Sequence, residues 1–159
     1  MDVTILLGSK SDLPIANKCT TILDKFGVSY QLRVASAHRS PAFVESIIHD
    51  AEEAGCNVFI AMAGLAAALP GAVAALTTKP VIGVPCGGKV PYDSLLSIVQ
   101  LPPGVPAATV GVDRGDNAAY LATQILAIAN PVYAKVLADD KLAQVERVLQ
   151  MDREVRGED

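Results

Sequence analysis

Val3-Thr4-Ile5-Leu6-Leu7-Gly8-Ser9-Lys10-Ser11-Asp12 joins a short apolar run to a turn of small and hydroxylated residues. A run of this length with no polar alternation marks a strand covered on both faces, which is the usual situation in a parallel sheet. Gly8 ends the run and lets backbone come close to a ligand. Ser9 and Ser11 offer hydroxyls at a helix N-terminus, where the dipole favours anions. Asp12 is placed to cap that helix, Pro14 lies in its first turn, and Ile15, Ile22, Leu23 and Phe26 supply its apolar face before Gly27 stops it. The turn has the character of a phosphate cradle. Its spacing matches neither a Walker loop nor a dinucleotide fingerprint, and an ordinary capped strand-to-helix turn is written the same way.

The unit repeats downstream. Tyr30 to Val34 reads as a second strand that delivers Ser36-Ala37-His38-Arg39-Ser40-Pro41. His38 can move protons near neutral pH, Arg39 presents a planar fork suited to carboxylate or phosphate, and Pro41 pre-sets the next helix, Pro41 to Ala54, which ends at Gly55. His49 sits in that helix beside Asp50, Glu52 and Glu53 and belongs to its solvated face. Asn57 to Met62 is the third strand and runs into the small-residue turn Ala63 to Gly71, where backbone amides and a helix can approach a ligand. Lys79 to Pro85 is the fourth strand. The turn-rich segment Cys86 to Tyr92 can act as a lid, Asp93 is placed to cap a helix Ser94 to Gln100, Ala107 to Val112 is the fifth strand, and Asn117 to Ala129 is an Ala-rich helix. After Pro131 a long amphipathic segment, Val132 to Val155, leads to an acidic end.

Strands alternating with helices imply a three-layer αβα sandwich, an α/β fold with a flavodoxin-like parallel five-stranded sheet in the order 2-1-3-4-5 and an extra C-terminal helix. Residues 1–129 form this α/β domain, and 130–159 form a helical extension of it that packs on a neighbouring subunit. Ligands in such sheets bind beyond the carboxyl ends of the strands, at the switch between strands one and three. Gly8 to Asp12, Ser36 to Arg39 and Ala63 to Gly71 all belong to that rim, which makes it the expected small-molecule site.

Composition narrows the class. The 159 residues suffice for one domain with a substantial core. They are 51% hydrophobic but only 4% aromatic, with a mean hydropathy of +0.36. The excess of small apolar side chains suggests a homo-oligomer. A net charge of −4 argues against nucleic acid or a membrane surface as partner, and no apolar run reaches the length of a membrane span. The N-terminus lacks the regions of a secretory signal, and three cysteines without a CxxC pair fit a reducing cytoplasm.

Gly8-Ser9-Lys10-Ser11-Asp12, Ser36-Ala37-His38-Arg39-Ser40-Pro41, Leu69-Pro70-Gly71, Gly83-Val84-Pro85 and the block Asp93-Ser94-Leu95-Leu96-Ser97-Ile98-Val99-Gln100-Leu101-Pro102 occur in one order. Together they resemble the PurE family of purine biosynthesis, over nearly the whole span from Thr4 to Ala129. The resemblance implies conversion of 5-(carboxyamino)imidazole ribonucleotide to the 4-carboxy-5-amino isomer, without metal or organic cofactor, in a homo-octamer; an upstream synthetase that makes the carbamate is a candidate partner. It implies His38 as the general acid and base. It implies nucleotide contacts from Ser9, Asp12 and Arg39, with Gly8, Ser11, Ser36, Ala63, Gly64 and Leu69 as supporting substrate-binding positions.

Two departures from the bacterial pattern stand out: Ala68 replaces a common histidine, and Cys86 to Tyr92 is shorter than the usual lid. Both resemble archaeal members of the family. Direct carboxylation of 5-aminoimidazole ribonucleotide by carbon dioxide is the alternative reaction within the family. From other classes, Cys86 beside Gly87-Gly88 could serve as a nucleophile in a different enzyme, and a flavodoxin-like chain could bind a nucleotide or flavin without catalysis.

Overall fold

The computed structural model describes residues 1–158, and its sheet carries the chain in the order β2-β1-β3-β4-β5 with every pair parallel. The strands are β1 (Val3–Leu7), β2 (Tyr30–Val34), β3 (Val58–Ala63), β4 (Val81–Pro85) and β5 (Ala108–Thr109). The helices are α1 (Leu13–Phe26), α2 (Pro41–Glu53), α3 (Ala68–Leu76), α4 (Pro91–Val99), α5 (Gly115–Ala127) and α6 (Pro131–Arg156). β1, β3 and β4 are buried along their whole length, as their unbroken apolar runs require, and the edge strand β2 is half-buried.

Alternation hidden in those runs sorts the core into two halves. Val3, Ile5 and Leu7 of β1, with Val58, Ile60 and Met62 of β3, face α1 and α5. Leu6, with Phe59 and Ala61, faces α2, α3 and α4. Small residues set how closely the layers approach. A methyl at Gly115 would come within 2.2 Å of the Ile15 carbonyl oxygen, so α5 starts where only glycine lets it touch α1. Phe26 and Tyr120 close the lower end of that contact edge-to-face, with ring centroids 5.2 Å apart.

The C-terminal helix is tied down at its first half. Tyr133, Val136 and Leu137 pack on the α1/α5 core, Tyr133 donates to Asp2 at 3.1 Å, and Asp140 is buried against Lys25, Tyr120 and Gln144. α6 as a whole is only weakly amphipathic, and beyond that point Leu142, Val145, Val148, Leu149, Met151 and Val155 are exposed. Among the described residues no helix is long and apolar enough to cross a membrane.

Several local expectations are corrected. Asp12 does not cap α1: its carboxylate turns back to the Ser9 N–H at 3.1 Å, closing a capping box around a single 3-10 turn, Lys10–Asp12, whose cap is Ser9. Asp93 lies inside the first turn of α4, which begins at Pro91 after Val90 and has no side-chain cap. Proline at the first helical position starts the helix earlier than the polar cap suggested. The loop read as a lid therefore shortens to Cys86–Val90. Ala68 to Gly71 is helix, the opening of α3, since proline is tolerated in a first turn. β5 shrinks to two residues because the chain leaves the sheet toward Asp113, whose φ of 59° ends any extended run.

Candidate active site

At the carboxyl ends of β1, β2 and β3 three loops enclose a cleft of about 510 Å³. Every residue expected from the sequence lines it: Gly8, Ser9, Ser11 and Asp12 from the β1 loop, Ser36, His38 and Arg39 from the β2 loop, and Ala63, Gly64 and Leu69 from the β3 loop and the start of α3. Ala37 and Leu65 to Ala68 complete the lining. Because β2 and β3 lie on opposite sides of β1, their loops diverge and leave a crevice between them.

The β2 loop is a self-closed turn. The Ser40 hydroxyl accepts from the Ser36 N–H at 3.1 Å, and the Ser36 hydroxyl accepts from the Arg39 N–H at 3.3 Å and from Arg39 Nε at 3.2 Å. Arg39 Nη2 donates to the Gly8 carbonyl at 3.1 Å, which ties the loop to its neighbour. The remaining guanidinium N–H groups stay free for an anion. His38 sits between these anchors, exposed at the cleft.

Asp12 is the buried acid of the site, 9% exposed. Burial holds its carboxyl above the usual carboxylate value, and the nearby Asp113 charge adds to that, against hydrogen bonds from the Ser11 hydroxyl and the Ser9 N–H. Leu65 is 70% exposed at the cleft and holds a left-handed φ of 55°, a strained conformation for a leucine.

Cys86 lies behind the cleft rather than in it. Its thiol is 5% exposed and pushed up to about 12, by burial first and then by Asp12 and Asp113, so it is a poor nucleophile. Among the described residues no Phe, Tyr or Trp lines the cleft. Cys19 and Cys56 are likewise buried free thiols. His49 is on the solvent face of α2, with Asp50 and Glu53 oxygens 4.0 and 3.8 Å away. A larger cleft, about 640 Å³, runs between α5 and α6. Its buried acid, Asp140, is satisfied by Lys25, Tyr120 and Gln144.

Asp113 was not foreseen from the sequence. Its carboxylate accepts from the Gly87 N–H at 2.8 Å, 26 residues away, and a lone aspartate in a loop carries no sign of such a partner. The one available signal is its type: Asp tolerates positive φ and bonds nearby backbone amides.

A three-layer sandwich with a crevice at its switch point, lined by a histidine, an arginine and three serine hydroxyls, defines an α/β fold of the kind that binds small molecules at the carboxyl ends of its strands. Residues 2–147 match the family model described as AIR carboxylase. The chain is 52% identical over 155 residues to the N5-carboxyaminoimidazole ribonucleotide mutase of Methanocaldococcus jannaschii, covering 97% of both. It is 53% identical over 131 residues to the protein of the same name from Pyrococcus abyssi, covering 81% of this chain and 75% of that one. The solved structure of Treponema denticola PurE superposes with a TM-score of 0.88 at 27% identity, covering 96% of each chain. The chain belongs to the AIR carboxylase family, the PurE family of purine biosynthesis.

Proposed function

We propose that this chain is a mutase that converts 5-(carboxyamino)imidazole ribonucleotide to 5-amino-4-carboxyimidazole ribonucleotide. The observation that carries the reading is the convergence of His38, Arg39 and Asp12 on one cleft in a chain about half identical to mutases of that name. Arg39 and the hydroxyls of Ser9, Ser11 and Ser36 take the phosphate and carboxylate. Asp12 takes ribose hydroxyls. Gly8, Ala63, Gly64 and Leu69 give the ligand close backbone and apolar walls.

The chemistry needs one proton carrier. His38 as imidazolium protonates the exocyclic nitrogen of the carbamate, the N–C bond breaks, and carbon dioxide is released beside the ring. The nucleophilic C4 then attacks it, forming the new C–C bond. Neutral His38 removes the C4 proton, which restores aromaticity and returns the histidine to its starting form. No net proton is gained or lost. Carbon dioxide must stay in the cleft between the two steps, so the walls matter as much as the base.

The exposed apolar residues on the second half of α6 support a homo-oligomer, which we assign as an octamer, whose neighbouring subunits complete those walls. The labile carbamate requires a separate synthetase upstream, and the setting is the cytoplasm. The test is product formation in two separate incubations, one with the carbamate nucleotide alone and one with 5-aminoimidazole ribonucleotide plus bicarbonate. Faster turnover of the carbamate supports the mutase. Exclusive use of aminoimidazole ribonucleotide makes the chain a carboxylase.

A further inference from the structure

Asp113 is a junction of three tertiary hydrogen bonds. Its N–H donates to the Pro85 carbonyl at the end of β4, at 2.9 Å. Its carbonyl accepts from Lys18 Nζ on α1 at 3.2 Å. Its Oδ1 accepts from the Gly87 N–H at 2.8 Å. The backbone holds φ at 59° to make all three at once, a conformation that costs most residues energy but that Asp and Asn adopt more readily.

What this junction grips is the turn after β4. A methyl on Gly87 would come 2.9 Å from Asp113 Oδ2, so the two residues approach as closely as glycine permits. Cys86, held between Pro85 and Gly87, supports the cleft from behind. Its N–H donates to the Ala63 carbonyl at 2.8 Å, and its carbonyl oxygen would lie 3.2 Å from a methyl placed on Gly64, in the loop that bears the strained Leu65. Asp113 itself does not line the cleft.

We propose that Asp113 is a positioning residue for substrate binding: by accepting the Gly87 N–H it fixes the Cys86 turn, and the turn sets the Ala63-Gly64 loop against the nucleotide. His38, on the β2 loop, is not touched by this chain of contacts. Loss of the tether therefore weakens binding and leaves the proton transfers intact. This inference rests on the nucleotide-binding reading of the cleft.

The test compares two substitutions that both tolerate the left-handed backbone. Asp113→Gly removes the acceptor and relieves the strain, while Asp113→Asn keeps an acceptor oxygen and removes the charge. Asp113→Gly should raise KM for the carbamate nucleotide at least about tenfold with kcat within about threefold of wild type, and Asp113→Asn should restore KM to within about threefold. Hydrogen exchange at the Gly87 amide, which needs no substrate, should quicken in Asp113→Gly and stay slow in Asp113→Asn. Gly87→Ala approaches the contact from the other side. It should reproduce the KM effect alone and add less in the Asp113→Gly background, where the carboxylate is gone and only the 3.1 Å approach to Val112 remains. If Asp113→Asn binds as poorly as Asp113→Gly, the charge and not the hydrogen bond matters and the inference is overturned. Unchanged KM in Asp113→Gly overturns it as well. Absence of turnover in the wild type defeats the mutase reading instead, and the exchange data still decide whether the tether exists.

Discussion

Arg39 Nη2 lies 3.1 Å from the Gly8 carbonyl, so the loops after β1 and β2 are locked together along one side of the crevice by the same side chain that offers the site its fixed charge. Arg39→Leu should therefore do two things at once: remove the anion anchor and loosen the Gly8 loop. We expect KM for the nucleotide to rise at least about tenfold, roughly 1.4 kcal/mol, with a smaller effect on kcat. Steady-state kinetics with the carbamate nucleotide check this, and an unchanged KM would remove Arg39 from the binding site.

His38→Asn deletes the proton carrier and keeps a side chain of similar reach. Turnover should drop by about a hundredfold or more, with nucleotide binding by calorimetry altered little. Activity within about tenfold of wild type would mean that another group carries the proton.

Asp140 makes the stability of the α6 junction depend on acid. Burial acts to raise its carboxyl, but hydrogen bonds from Lys25, Tyr120 and Gln144 and the Lys25 charge outweigh it and hold it down to about 2, below the ordinary 3.8. A carboxyl lowered on folding stabilises the folded state above its unfolded value and stops doing so as pH falls through its folded value. The contribution should be fully present above about pH 5 and fade between about pH 4 and pH 2. Its size is about 2 kcal/mol at most, reduced because the Lys25 side chain is 46% exposed and screened. Urea unfolding of wild type and Asp140→Asn across that range should show their difference shrinking with acid, whereas a pH-independent gap would refute the linkage.

Truncation before Pro131 strips Tyr133, Val136 and Leu137 from the α1/α5 core and removes the exposed apolar residues of α6. Association and activity should fall together, since the oligomer is taken to supply the missing walls of the cleft. Light scattering with the product assay measures both, and a fully active monomer would separate them.

The bounds of β1, the sheet order and the three converging loops were legible because burial on both faces writes itself as unbroken apolar runs, as in Val3 to Leu7, while the half-buried β2 shows as Tyr30, Leu32 and Val34 alternating with Gln31 and Arg33. The residues of the candidate site could be placed together for a related reason: they sit at strand ends, which those patterns locate. What sequence could not convey is partnership between distant groups. Ala107 to Val112 alternates like a strand, yet only Ala108–Thr109 pair, because the chain turns away at Asp113 to reach Gly87 and Pro85. Asp12 looked like a cap until the Ser9 N–H competed for its carboxylate, and Ala68 to Gly71 looked like a turn because small residues and proline serve turns and first helical turns alike.

The central claim is that one closed cleft both releases and recaptures carbon dioxide. Carbamate nucleotide labelled with carbon-13 at its carboxyl, converted in the presence of excess unlabelled bicarbonate, tests this most directly. The account predicts that the label stays in the carboxylated product of a single turnover. Loss of the label to the unlabelled pool would mean that the carbon passes through bulk solvent, and that the chain carboxylates 5-aminoimidazole ribonucleotide directly.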